Sequence, residues 1–185
     1  MGFRQGAVLA SCSFFLGVLF ICFFVDYRIL HQQLTNDVIE DGFQFYATFF
    51  NAPPAIKALL HGFIGIGILG LIAKLHAWTE SAVWFDGSSL AAYVFAVAVY
   101  LTVTIPGLRT MITPAEVDTR EDRIEAMRVL AAGNTIMMII LGSILVLQAG
   151  QEYARRMELK ELAAEKARKG KQPTPANADS KEKKE

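Results

Sequence analysis

Gly65-Ile-Gly67-Ile-Leu-Gly70 carries the G-x-G-x-x-G spacing that lets a backbone close on a dinucleotide pyrophosphate. That chemistry needs a strand before the glycines and a solvent-facing helix start after them. Here they lie in the middle of an uncharged apolar run, so no nucleotide is expected. His31, His61 and His76 stand in separate contexts without the spacing of metal ligands. His61, one turn beyond Lys57, reads as an interfacial or packed histidine. Cys12 and Cys22 share one apolar run; at 1.5 Å per residue they would lie about 15 Å apart on a helix, too far to pair. They read as packed apolar side chains. No nucleophile stands with a base and an orienting group. The acids near residues 116–125 are interleaved with arginines, as in solvated ion pairs. Catalysis, a metal and a cofactor are therefore not expected.

What remains is small residues and one amide. Gly6, Ala10, Ser13 and Gly17 recur at helical spacing and form one narrow stripe. Gly62, Gly65, Gly67 and Gly70 give a wide face nearly free of side chains, and Ala92 with Ala96 does the same in a later run. In lipid, helices associate through close backbone approach rather than through hydrophobicity, and small faces permit it. Asn134 can add a hydrogen bond across a helix interface, worth about 0.6 to 2 kcal/mol. Such faces serve either to hold the chain's own helices together or to receive a helix from another protein. Glycines cover more of their helix than a single neighbour requires.

The elements that carry these residues must cross a membrane. Hydrophobic residues make up 53% of the 185, mean hydropathy is positive, and net charge is zero. That is too apolar for a soluble domain of this length, and not basic enough for nucleic acid. Four runs near residues 7–25, 55–73, 88–108 and 129–149 each approach the roughly 20 residues needed to span hydrocarbon. The first is too long for a signal-peptide core and lacks small residues at its end, which argues for an uncleaved anchor. Asn51 is expected to cap the second span, with Pro53 and Pro54 in its first turn and Lys57 snorkelling to the interface. Asp86 or Ser88 is expected to cap the third, and Pro106-Gly107 to end it. No span centre carries Asp, Glu, Lys or Arg, which pumps and ion pathways normally require.

Between the spans, the loop from Asp26 to Pro54 ends in aromatics. Phe43, Tyr46 and Phe50 share a helical face, which predicts a short interfacial helix leading into the second span. Lys74 to Gly87 forms a short loop with Trp78 and Trp84 as interface anchors. Four spans place both termini on one side. The lysine-rich tail, against only Arg28 in the first loop, puts them in the cytosol, although Arg109, Arg120, Arg123 and Arg128 in the third loop oppose that bias. The membrane domain occupies 1–149 and a charged tail 150–185. Glu152 with Arg156 and Glu165 with Lys169 are i,i+4 pairs that carry the last helix on to about Gly170, with disorder expected beyond. Lys181 and Lys183, near the C-terminus, have the placement of a dilysine retrieval signal read by vesicle-coat proteins. The expected fold is thus all-α and polytopic: four transmembrane helices, a short interfacial helix, and a helical-then-disordered cytosolic tail.

The run Asn51-Ala-Pro53-Pro54-Ala-Ile-Lys57 leading into His61-Gly62-Phe-Ile-Gly65-Ile-Gly67-Ile-Leu-Gly70-Leu-Ile-Ala-Lys74 resembles the fungal amino-acid-permease chaperones of the endoplasmic reticulum, also called secretory component proteins. So do Phe85-Asp86-Gly87-Ser-Ser-Leu90, Leu130-Ala-Ala-Gly133-Asn134-Thr135 and Leu147-Gln148-Ala149-Gly150-Gln151-Glu-Tyr153-Ala154. The resemblance runs through most of the membrane region. It implies a four-span resident of the endoplasmic reticulum that is not an enzyme. Its partners would be nascent amino-acid permeases, held in the bilayer, and vesicle-coat components met through the tail. In that light Gly62, Gly65, Gly67, Gly70 and Asn134 are the expected client contacts. A small transporter or channel subunit, or less plausibly a lipid-modifying membrane enzyme, is the alternative.

Overall fold

The computed structural model describes residues 2–76 and 80–169, all in helices and their connections, with no strand among them. Helix α1 spans Phe3–His31, α2 Asn36–Phe50, α3 Pro54–Leu75, α4 Glu80–Val99, α5 Ile105–Ile112 and α6 Arg120–Lys169. A five-residue π-helical turn, Tyr100–Thr104, joins α4 to α5. Four stretches are long and apolar enough to cross a membrane: Phe3–His31, Pro54–Leu75, Val83–Ile112 and Arg120–Lys169. The chain divides into two units, Met1–Gln148 and Ala149–Glu185. Trp78, Lys181 and Lys183 lie outside the described residues.

The helices overrun the ends at which charges and prolines were expected to stop them. Asp26 does not open a loop; α1 continues through it to His31. Asn51 caps the C-terminus of α2, its N–H bonding the Ala47 carbonyl, while Pro53 and Pro54 begin α3. Asp86 is not a cap but lies inside α4, and Lys74 is still within α3. Nor does Pro106 end the third span. Proline lacks an N–H and its ring crowds the carbonyl four residues back. The chain widens just upstream, Ile105 N–H bonding the Tyr100 carbonyl five residues behind, and the helix then runs on to Ile112.

Two clusters make the core of the first unit. Val8, Cys12 and Leu19 of α1, Leu71 of α3, Tyr93 and Ala96 of α4, and Met137, Leu141 and Ile144 of α6 form one. The other joins Ile29 of α1 and Met111 of α5 to Met127, Leu130 and Ala131 of α6, with α2 supplying Val38, Ile39, Phe43 and Tyr46. So α2 does more than lie at an interface. Thr35 caps it, accepting from the Val38 N–H at 3.4 Å, and its apolar stripe closes one end of the bundle. Arg120 pairs with Glu40 at 3.2 Å, and Arg123 reaches the Met111 carbonyl at 2.8 Å while lying over the Phe43 ring. Before α6, Thr119 and Asp122 cap each other's backbone N–H groups, at 3.2 and 2.8 Å, a reciprocal capping box.

In the second unit the helix is described to Lys169, and both expected ion pairs form: Glu152–Arg156 at 2.9 Å and Glu165–Lys169 at 2.7 Å.

Candidate functional site

The glycines of α3 divide into two groups. At Gly67 a side chain has no room: an added Cβ would stand 2.5 Å from Tyr93 Cζ and 2.7 Å from Ser11 Oγ. At Gly70 it would meet Val8 Cγ2 at 3.0 Å and Ala7 Cβ at 3.4 Å. These two glycines therefore let α1 and α4 approach the α3 backbone. Gly62 and Gly65 face open space, with nothing within 4 Å of an added Cβ. At about 100° per residue they project roughly 140–160° round the helix from Gly67. Exposed Ile66 and Leu69 flank them. The Gly6, Ala10, Ser13 and Gly17 stripe of α1 also faces outward, all four residues being exposed, while α1 packs inward through Val8, Ser11, Cys12 and Leu19.

Ser11 fixes the inner contact. It donates to the Phe63 carbonyl at 2.8 Å, so the Tyr93 phenol donates to Ser11, also at 2.8 Å. One hydroxyl thereby ties α1, α3 and α4 together at the level of Gly67.

Asn134 is buried among the chain's own helices. Its amide donates both protons: to Asp26 Oδ2 at 3.0 Å and to the Tyr46 oxygen at 3.0 Å. The Tyr46 phenol in turn donates to Asp26 Oδ1. Burial, and then the adjacent carboxylate, push that phenol above its ordinary pKa, so it remains a donor. Every polar proton in this Asp26–Tyr46–Asn134 node has an acceptor, and the node joins α1, α2 and α6.

A second node lies further along α6. Lys74 Nζ meets Asp86 Oδ1 at 2.8 Å and also donates to Gln148. The Gln148 amide donates to Asp86 at 3.2 Å and to Ser89 Oγ at 3.1 Å, and Ser89 donates to the Phe85 carbonyl at 2.7 Å. Asp86 is only 1% exposed. Asn134 and Gln148 are separated by about 21 Å of helix at 1.5 Å per residue, so the nodes sit near opposite ends of the membrane bundle.

Sequence reasoning reached Asn134 but missed the partners that occupy it. Ile29 and Leu30 beyond Asp26 were the available signal that α1 had not ended. Lys74 and Asp86, opposite charges flanking a short connection, were the signal for the second node. Both cysteines are free and buried, and among the described residues no three His, Cys, Asp or Glu side chains gather closely enough to hold a metal.

No curated protein and no solved structure matches this chain. The model of the SHR3 chaperone family, described as ER membrane protein SH3, matches residues 1–185. That match agrees with a helical fold carrying four stretches long and apolar enough to cross a membrane. This multi-pass protein of the endoplasmic reticulum membrane belongs to the SHR3 chaperone family.

Proposed function

We propose that the chain holds newly inserted amino-acid permeases in the bilayer and assists their packaging into coated vesicles, without catalysing a reaction. A permease's early helices enter the membrane before their partners exist, leaving small and polar faces unmatched. The observation that carries the reading is the open backbone at Gly62 and Gly65 on α3, beside exposed Ile66 and Leu69. A client helix can lie close against such a surface and leave again, because packing is shallow and no polar group is locked. Gly67 and Gly70 serve the same purpose indirectly: they seat α3 against its own neighbours and so fix which face it turns outward, while Asn134 holds α1, α2 and α6 together.

In this reading both termini are cytosolic, the Asp26 node lies toward the lumen and the Lys74 node toward the cytosol. The tail meets vesicle-coat components, and Lys181 with Lys183 returns the protein to the endoplasmic reticulum. Three of the four arginines that oppose this orientation by simple counting are engaged: Arg120 with Glu40, Arg128 with Glu125, and Arg123 with the Met111 carbonyl.

The test is photocrosslinking from position 65 during synthesis of a permease, with the exposed Ile139 position of α6 as internal control. Client capture is expected at 65 and not at 139. If no permease is captured from 62 or 65, and Gly65→Phe leaves permease delivery normal, this face is not the holding surface.

A further inference from the structure

Within the first unit, all six helices and the π-helical turn line an apolar cleft of about 460 Å³. The volume falls in the range of small-ligand pockets, about 300–1,000 Å³. It suits a single flexible chain.

The lining is graded along the bundle. Leu19, Ala96 and Leu141 form the deeper walls, whereas Lys57, His61 and Thr104 stand toward the end where α3 begins. Lys57 lies in the first turn of α3, is exposed, and forms no ion pair among the described residues; its ammonium rests 5.6 Å from the centre of the Phe50 ring. His61 gives its Nδ1 to the Lys57 carbonyl at 2.6 Å, which turns Nε2 away from its own backbone.

Thr104 is the second observation. Thr102, Thr135 and Ser143 return their hydroxyls to the carbonyl four residues back on their own helices. Thr104, in the same π-helical turn as Thr102, lines the cleft, and its buried hydroxyl has no protein partner among the described residues. Buried hydroxyls are nearly always bonded, and π-turns recur at functional sites.

We propose that this cleft binds one anionic glycerophospholipid, with the phosphate at Lys57, an ester carbonyl accepting from Thr104, and an acyl chain between Leu19, Ala96 and Leu141. A cation at the hydrocarbon edge, an uncommitted hydroxyl below it and an apolar channel beyond follow the order of groups along such a lipid. The site is separate from the outward glycine face of α3 and does not depend on how clients are held.

The experiment uses the full chain in nanodiscs of phosphatidylcholine doped with a diazirine-acyl phosphatidylserine, or with the matching diacylglycerol that lacks the phosphate. The phosphatidylserine probe should label the segments around Ala96 and Leu141 well above the exposed Phe20–Phe24 face of α1. The phosphate should favour it over diacylglycerol by about fivefold, the effect of one lysine near an anionic headgroup. Lys57→Gln, at an exposed position, should erase that preference while leaving the fold intact. Ala96→Phe should reduce labelling inside the cleft but not on Phe20–Phe24. Labelling spread evenly over all lipid-facing surfaces, or indifferent to both substitutions, would overturn the proposal. So would capture of a permease segment, rather than lipid, by a photocrosslinker placed at Ala96.

Discussion

Gly67→Ala tests whether α3 is seated by close approach or merely surrounded by lipid. The new Cβ would lie 2.5 Å from Tyr93 Cζ, where ordinary contact begins at 3.4 Å, so the ring must withdraw by about 0.9 Å. Tyr93 is 2% exposed and packed among core side chains, so a shift of that size is resisted. Overpacking of this kind costs about 1–3 kcal/mol. Withdrawal also breaks the Tyr93–Ser11 hydrogen bond, worth about 0.6 to 1.7 kcal/mol inside a membrane bundle. Replacing a helical glycine returns up to about 1 kcal/mol. The net expectation is a loss of about 1–4 kcal/mol, whereas Gly65→Ala, with nothing within 4 Å, should be neutral or slightly stabilising. Reversible unfolding of the purified protein in mixed micelles, followed by circular dichroism, separates the two. A double-mutant cycle isolates the ring's share of the contact, because Tyr93→Leu removes the clashing phenol and leaves only Ser11 Oγ, at 2.7 Å. Gly67→Ala should then cost clearly less in the Tyr93→Leu background than in the wild type. Wild-type stability for Gly67→Ala, or an undiminished penalty in the Tyr93→Leu background, would refute the packing described at Gly67.

Three further outcomes follow from the same structure. Lys74→Met leaves Asp86 buried without its cation and should destabilise by about 3–5 kcal/mol, while the double variant with Asp86→Leu should recover most of the loss in the same unfolding assay. Tyr46→Phe removes a donor from the Asp26 carboxylate and should cost about 1.5–3 kcal/mol; Tyr46→Phe with Asp26→Asn should be less damaging than the single change, and the reverse order would contradict the node. Changing Lys181 and Lys183 to Ser together should move the protein, followed by fluorescence microscopy, from the endoplasmic reticulum to later compartments; an unchanged location assigns retention to the spans.

Four spans were legible because apolar length is a cumulative signal that survives error at any one position. Their ends were not, and the reason is the same at each. Asp26, Lys74 and Asp86 looked like exits from the bilayer because an isolated charge there is expensive. Each is instead neutralised or bonded by groups distant in sequence: Asn134 is 108 residues from Asp26 and Gln148 is 74 from Lys74. A single sequence gives charge locally, but whether a charge is satisfied depends on tertiary contact. Pro106 failed as a stop because the helix could change register to i,i+5 just before it. The glycine run gave the face but not its division. At 3.6 residues per turn, four glycines within nine positions spread round most of a helix, and only the neighbours decide which are taken.

That division bears on how a holding protein keeps its own shape while staying adhesive. Its internal helix contacts must outlast its contacts with a client, or the client would unpack it. Inside the bundle the contacts are of the stronger kind. A carboxylate accepts two donors at one end, and at the other an ion pair closes with an amide and a hydroxyl. In hydrocarbon, parting any of these strands a charge or a dipole. The outward faces of α1 and α3 offer glycine, alanine, serine and aliphatic carbon, whose release strands nothing comparable. A permease helix resting on Gly62 and Gly65 would lose only close packing when it leaves for its own partners. Its departure therefore needs no energy source beyond the better fit that it finds within the permease. Introducing a polar side chain on that face, as in Gly65→Asn, should then slow release rather than improve delivery, and the client should accumulate on the chaperone. Faster release, or unchanged residence, would show that the holding contact lies elsewhere.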